Sequence, residues 1–166
     1  DVRLLHQYGT TETCSDVLTG ELTLEDLATG EVHIGRPMTG VTARVLDEEG
    51  LPADDGEPGT LHIGGDCLAW GYLDDGGRTA EAFVPDAWSA RPGGRLYNTG
   101  DRVRRTPSGM FVFRGRSDDQ VKVRGVRLDL GGIARVLEAH PSVTEAHVTR
   151  VTREKTDELV AHIAVG

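Results

Sequence analysis

Cysteine is nearly missing from this chain: 166 residues hold two, Cys14 and Cys67, and neither sits in a CxxC pair. That spacing speaks against a cysteine-ligated metal centre and against a disulfide framework, and a reducing cytoplasm suits such a chain best. Aromatic residues are sparse at 5%, and no apolar run approaches the roughly 18 residues that a membrane-crossing helix needs. Positive charge is in deficit as well, with 18 Lys and Arg against 27 Asp and Glu for a net charge of −9. Phosphate backbones are gripped by clustered cations, so nucleic acid is not expected as a main partner, and neither is a membrane. A nucleotide, which needs only one or two local cations, stays open. No targeting segment is visible, and the chain opens on Asp1 without an initiator methionine, so it reads as a piece of something longer.

What is present is the composition of a globular protein, 37% hydrophobic and 27% charged, with 22 glycines gathered into a few loops. The length suits one ordinary domain, or one domain with a small appendage. QYGTTET (7–13) is too polar for a core strand and too rich in β-branched residues for a helix, so it reads as a loop. Gly9 permits close approach of a ligand, Thr10 and Thr11 offer hydroxyls and Glu12 a carboxylate, parts that suit a phosphate and its metal. An ordinary threonine-rich surface turn has the same parts.

Apolar alternation marks TARVLD (42–47) and TLHIGG (60–65) as strands joined by an acidic, Pro- and Gly-rich loop. GRTAEAFV (77–84) is expected to form one or two helical turns before Pro85, and RVRR with MFVFRG a hairpin turning at Pro107 and Gly109. Short strands with turns between them imply a small barrel or distorted sheet. After Gly115 the texture changes. QVKVRG reads as a strand; LDLGGIARVLEAHP spaces Leu130, Ile133, Val136 and Leu137 as a helix with Asp129 as N-cap; VTEAHVTRV and ELVAHIAV read as two further strands. The fold class is therefore α+β, a distorted barrel or sheet followed by a small β-α-β-β lobe, with the boundary in RSDD (116–119), giving units 1–117 and 118–166.

Four stretches occur in one order: QYGTTET, GTLHIGGDCLAWGYL, RLYNTGDRVR and GRSDDQVKVRGVRLDLGGI. Together they resemble the adenylate-forming enzymes, most closely the amino-acid-activating adenylation domains of nonribosomal peptide synthetases. The resemblance covers nearly the whole chain. It implies that 1–117 is the C-terminal portion of the large core subdomain and 118–166 the start of the small mobile one. Such enzymes join an amino-acid carboxylate to the α-phosphate of ATP, release pyrophosphate, and pass the acyl group to the phosphopantetheine thiol of a peptidyl carrier protein.

By the same resemblance Glu12 is the ligand of Mg²⁺, Thr11 contacts the α-phosphate, and Tyr8 and Gly9 lie along the adenine. Phosphoryl transfer asks mainly for positioning and charge neutralisation, which a hard cation on a carboxylate supplies. Asp101, in TGD (99–101), becomes the acceptor for the ribose hydroxyls, although a turn aspartate can equally satisfy backbone amides. Arg116 would contact ribose or phosphate, or simply be a solvated arginine at a junction. Phe113 would pack on adenine, or be core. Asp118 is the implied hinge, while Lys122 and Gly125 would serve thioester formation, Gly125 where the pantetheine arm passes. Gln7, Ser15 and Asp16 fall at positions lining the amino-acid pocket. A small MbtH-like accessory protein and the rest of a multidomain synthetase are the other partners implied.

The pattern also breaks. The family's phosphate loop and main pocket residues fall upstream of QYGTTET and its catalytic lysine falls past Gly166, so this chain alone is not expected to adenylate anything. Gly132 and Ala134 stand where the family carries acidic residues. A noncatalytic adenylation-like scaffold that docks a carrier, accessory or tailoring protein is therefore a second reading, and a segment of an acyl-CoA synthetase a third.

Overall fold

In the computed structural model, which describes residues 2–117, 120–123, 126–153 and 156–166, the chain divides into two compact units, Asp1–Ser117 and Asp118–Gly166. The first runs β1 (Leu4–Thr10), a 3₁₀ turn (Thr11–Thr13), β2 (Ser15–Leu22), α1 (Leu24–Thr29), β3 (His33–Pro37), β4 (Val41–Leu46), β5 (Pro58–Gly65), α2 (Gly76–Ala82), β6 (Phe83–Pro85), β7 (Arg95–Arg105) and β8 (Phe111–Arg116). These strands form an eight-stranded sheet in the order β1-β2-β3-β8-β7-β5-β4, with β6 added along β7. Among the described residues no pairing joins β4 back to β1, so the expected barrel or distorted sheet is an open, bulged antiparallel sheet.

Strand alternation builds the core. Leu61 and Ile63, two apart on β5, point to one face and are fully buried together with Leu18 of β2 and Val103 of β7. Removing each of these side chains from water contributes about 1.5–3 kcal/mol. The hairpin between β7 and β8 turns through residues 106–110, with Gly109 in the left-handed region at φ 81°. Helix α1 starts on a reciprocal cap: the Asp26 amide donates to Thr23 Oγ1 at 3.2 Å and the Thr23 amide donates to Asp26 Oδ2 at 2.7 Å.

Two expectations need correction. Residues 7–10 of the QYGTTET stretch are not loop but the second half of β1, which pairs with β2 from Leu4 opposite Leu22 to Thr10 opposite Ser15 with a register shift between Tyr8 and Gly9. Much of β1 stays exposed, so no apolar alternation announces it, while β-branched threonine suits extended backbone. TGD (99–101) is likewise no turn. It lies inside the eleven-residue strand β7, where a bulge lets the strand continue through Gly100 at φ 72°.

The second unit contains β9 (Gln120–Val123), β10 (Val126–Asp129), α3 (Leu130–Glu138), β11 (Val143–Arg153) and β12 (Thr156–Val165). The expected β-α-β-β order gains β10, which pairs antiparallel with β9. Asp129 caps α3, its Oδ1 accepting from the Gly132 amide at 2.9 Å. Leu130 is buried, whereas Val136 on the same helix is 74% exposed. Among the described residues, no helix is long and apolar enough to cross a membrane.

Candidate functional site

The site is organised by the bulge in β7. Asn98 pairs with His62 and Arg102 with Thr60, so residues 99–101 together oppose Leu61 alone. A ladder carbonyl left over by such an insertion needs a donor, and Thr99 Oγ1 supplies it, donating to the Leu61 carbonyl at 2.8 Å. The same hydroxyl accepts the Asp101 amide at 3.0 Å, and the Gly100 amide donates to Asn98 Oδ1 at 3.0 Å. The bulge is thus fixed by its own side chains, and it sets the carboxylate of Asp101, 5% exposed, within reach of two partners. Tyr8 of β1 donates its hydroxyl to Oδ2, and Arg116 of β8 donates Nη1 to Oδ1. The other arm of that guanidinium donates to the Thr99 carbonyl at 2.8 Å. Three residues singled out in the sequence, separated by up to 108 positions between Tyr8 and Arg116 (116 − 8), therefore meet at one carboxylate.

Glu12 is presented by the 3₁₀ turn after β1. Thr13, 1% exposed, wires this turn: its hydroxyl donates to the Thr10 carbonyl and accepts the Thr10 amide, each at 3.0 Å. A Cβ on Gly9 would come within 1.6 Å of the Ser15 carbonyl oxygen, so glycine here permits the chain's own return strand to approach. The Glu12 main chain is held from across the unit, its carbonyl accepting the Ala69 amide at 2.9 Å. Its carboxylate Oε1 accepts the Tyr72 hydroxyl at 2.8 Å.

The two carboxylates are each joined through a tyrosine to residues of β7. Tyr72 interacts with Tyr97, while Tyr8 interacts with both Thr99 and Asp101. From Tyr97 to Asp101 the strand spans at most roughly 13 Å at the usual rise per residue. Burial, followed by the Asp101 charge, pushes the Tyr8 phenol well above the ordinary tyrosine range; burial and the hydrogen bond to Glu12 do the same for Tyr72. Both groups hold their protons in the fold at pH values where an unfolded tyrosine, near 10, has begun to lose its own. The stability they contribute is complete below that value and is lost as pH rises past it. An absorbance titration at 295 nm, followed in parallel by circular dichroism, is expected to show ionisation of Tyr8 and Tyr72 only together with unfolding. Ionisation near pH 10 with the fold intact would contradict this environment.

Other residues singled out in the sequence stand apart from the cluster. Thr11 is exposed in the 3₁₀ turn, and Gln7, Ser15 and Asp16 are exposed on the β1–β2 hairpin, with Gln7 alternating away from Tyr8. Phe113 lies opposite Val103 on β8 and is 44% exposed. Lys122 falls opposite Arg127 in the β9–β10 ladder, with its side chain outside the described residues; Asp118 and Gly125 lie outside them altogether. His62 is buried on β5, which lowers its pKa, and its Nδ1 lies 3.1 Å from the Thr60 carbonyl, as a packed residue rather than a base. The sequence reading missed Tyr72, Tyr97 and Thr99. Thr99 was hidden because TGD reads as a turn, while Tyr72 and Tyr97 carry no local signal.

A family model described as AMP-binding enzyme matches residues 1–73. The chain is 44% identical to malpibaldin synthetase of Mortierella alpina over 98% of its own length and 3% of that protein's. It is 46% identical to novobiocin biosynthesis protein H of Streptomyces niveus, over 86% of its own length and 23% of the other. Among solved structures, PA1221, an NRPS protein containing adenylation and PCP domains, superposes with a TM-score of 0.83 at 31% identity, covering 99% of this chain and 33% of that one. The chain thus spans a small part of the relatives it matches.

Proposed function

We propose, from the premise that this chain belongs to the AMP-binding family of adenylate-forming enzymes as a segment of a nonribosomal-peptide-type adenylation domain, that it carries the nucleotide-facing wall of that domain's active site. The reaction is attack of an amino-acid carboxylate on the α-phosphate of ATP with release of pyrophosphate. Transfer of the aminoacyl group to the phosphopantetheine thiol of a peptidyl carrier protein follows. The observation that carries the reading is the Asp101 carboxylate, built into a self-satisfied bulge, faced by Tyr8 and Arg116 and joined along β7 to Glu12.

Each carboxylate oxygen offers about two acceptor positions. In this reading Asp101 accepts the ribose hydroxyls and Arg116 reaches a ribose or phosphate oxygen. Tyr8, Gly9 and Phe113 border the adenine in this reading, and Thr11 faces the α-phosphate. The donor set also fits Mg²⁺. Among the described residues there is no cluster of three or more His, Cys, Asp or Glu that would form an all-protein cage. Mg²⁺ typically takes one or two carboxylates together with substrate phosphates and water, and Glu12 supplies such a carboxylate. When bound, the ion neutralises phosphate charge; the work of the chain is to hold Glu12, Asp101 and Arg116 in place. Gln7, Ser15 and Asp16 border the amino-acid pocket, Asp118 serves as the hinge, and Lys122 and Gly125 serve the thioester step. The peptidyl carrier protein, an MbtH-like accessory protein and the remaining synthetase modules are its partners, in the cytoplasm, where the free thiols of Cys14 and Cys67 stay reduced.

One observation favours the scaffold reading: α3 has no acidic residue in its first turn. A single assay separates the two. In the complete domain carrying this segment, amino-acid-dependent exchange of labelled pyrophosphate into ATP is expected, and E12Q is expected to lower it by about 10²-fold or more. Exchange indifferent to E12Q overturns the assignment of Glu12, and no exchange with any amino acid favours the scaffold.

A further inference from the structure

The Tyr72 hydroxyl has no necessary role in holding its own ring. That ring already meets Phe83 edge-on at 5.9 Å between centroids and lies beneath the Arg78 guanidinium at 4.6 Å, while the Tyr72 amide donates to Thr79 Oγ1 at 2.9 Å. Ring and main chain are thus held by contacts that do not use the phenol, whose hydroxyl meets Tyr97 and donates to Glu12 Oε1. Ordering a glutamate side chain costs conformational entropy, and a hydrogen bond to a fixed phenol offsets part of that cost. The segment bearing Tyr72 is itself anchored: Arg95 donates to the Ala69 and Trp70 carbonyls, each at 3.0 Å, and the Ala69 amide donates to the Glu12 carbonyl. Residues 66–75 thus grip Glu12 at both its main chain and its carboxylate.

We propose that Tyr72 is a positioning residue for Glu12, its hydroxyl holding the carboxylate in one orientation toward a phosphate-bound divalent cation. The proposal rests on the nucleotide reading above. A phenolic donor fixes the direction of the carboxylate without adding charge beside it. Partners of this kind, one step removed from a metal, typically change affinity or activity by 10–100-fold when removed.

The test is a cycle of Y72F, E12Q and the double variant in the complete domain, read by binding of a fluorescent ATP analogue titrated with Mg²⁺ in the absence of amino acid. Y72F keeps the ring and deletes the hydroxyl. It is expected to raise the half-saturating Mg²⁺ by about tenfold. Pyrophosphate exchange at saturating Mg²⁺ should stay within about twofold of the parent, a split that lost packing would not produce. Because Tyr72 acts through Glu12, Y72F should add nothing on the E12Q background. The comparison between backgrounds remains decisive even if Y72F lowers the unfolding midpoint. Equal effects of Y72F on both backgrounds, or unchanged Mg²⁺ dependence on the parent background, overturn the proposal. If E12Q itself leaves the Mg²⁺ dependence unchanged, the metal assignment fails instead, and the positioning role with it.

Discussion

Asp101→Ala is expected to abolish nucleotide binding by the complete domain and to cost the first unit about 1–3 kcal/mol of stability, the penalty for leaving buried polar partners unpaired. The direction follows from what faces the carboxylate. The Arg116 side chain, 19% exposed, loses its ion pair with Oδ1, and the half-buried Tyr8 hydroxyl loses the acceptor at Oδ2. Asp101→Asn separates the two consequences. An amide retains an acceptor for Tyr8 but meets Arg116 with no charge, so binding should fall with a smaller loss of stability. Fluorescent-nucleotide titration and urea unfolding measure the pair. Nucleotide affinity within twofold of the parent for both variants would remove Asp101 from the ribose role.

Truncating Leu61 is the second large perturbation. It is fully buried at the middle of β5, within the cluster formed by Val17, Leu18, Ile34, Ile63 and Val103. Leu61→Ala should lower the unfolding free energy by about 2–5 kcal/mol, the transfer loss of the missing methyls plus the cavity they leave. The damage should extend to the site, because the Leu61 carbonyl accepts the Thr99 hydroxyl that also receives the Asp101 amide. Denaturant unfolding gives the first effect, and hydrogen exchange at the Asp101 amide reports the second. A loss below about 1 kcal/mol would mean that the surrounding side chains refill the space, contrary to close packing.

Legibility in the sequence followed the depth of burial. TARVLD and TLHIGG carry a legible apolar pattern because their apolar side chains reach the core, and both became strands within a residue or two of the expected ends. Asp129 was readable as a cap because its chemistry is local. Strand β1 was not readable, since its polar, exposed residues give no period to detect and its pairing with β2 is a tertiary fact. The hairpin of β9 and β10 was hidden for a similar reason: VRGVRLD has no long polar break to separate two strands of four residues each. At the site, resemblance picked out Tyr8, Glu12, Asp101 and Arg116, but Tyr72 depends on a contact across sixty positions that no local spacing encodes.

The bulge of β7 also sets what kinds of change this strand tolerates. Three residues answering one neighbour is a fixed offset in the weave, and removing a single residue from 99–101 would invert the facing of everything that follows, carrying Val103 from the interior toward water. The segment can accept altered chemistry at individual positions more readily than altered length. Indels there would be purged as folding failures before any effect on ligand handling could be selected.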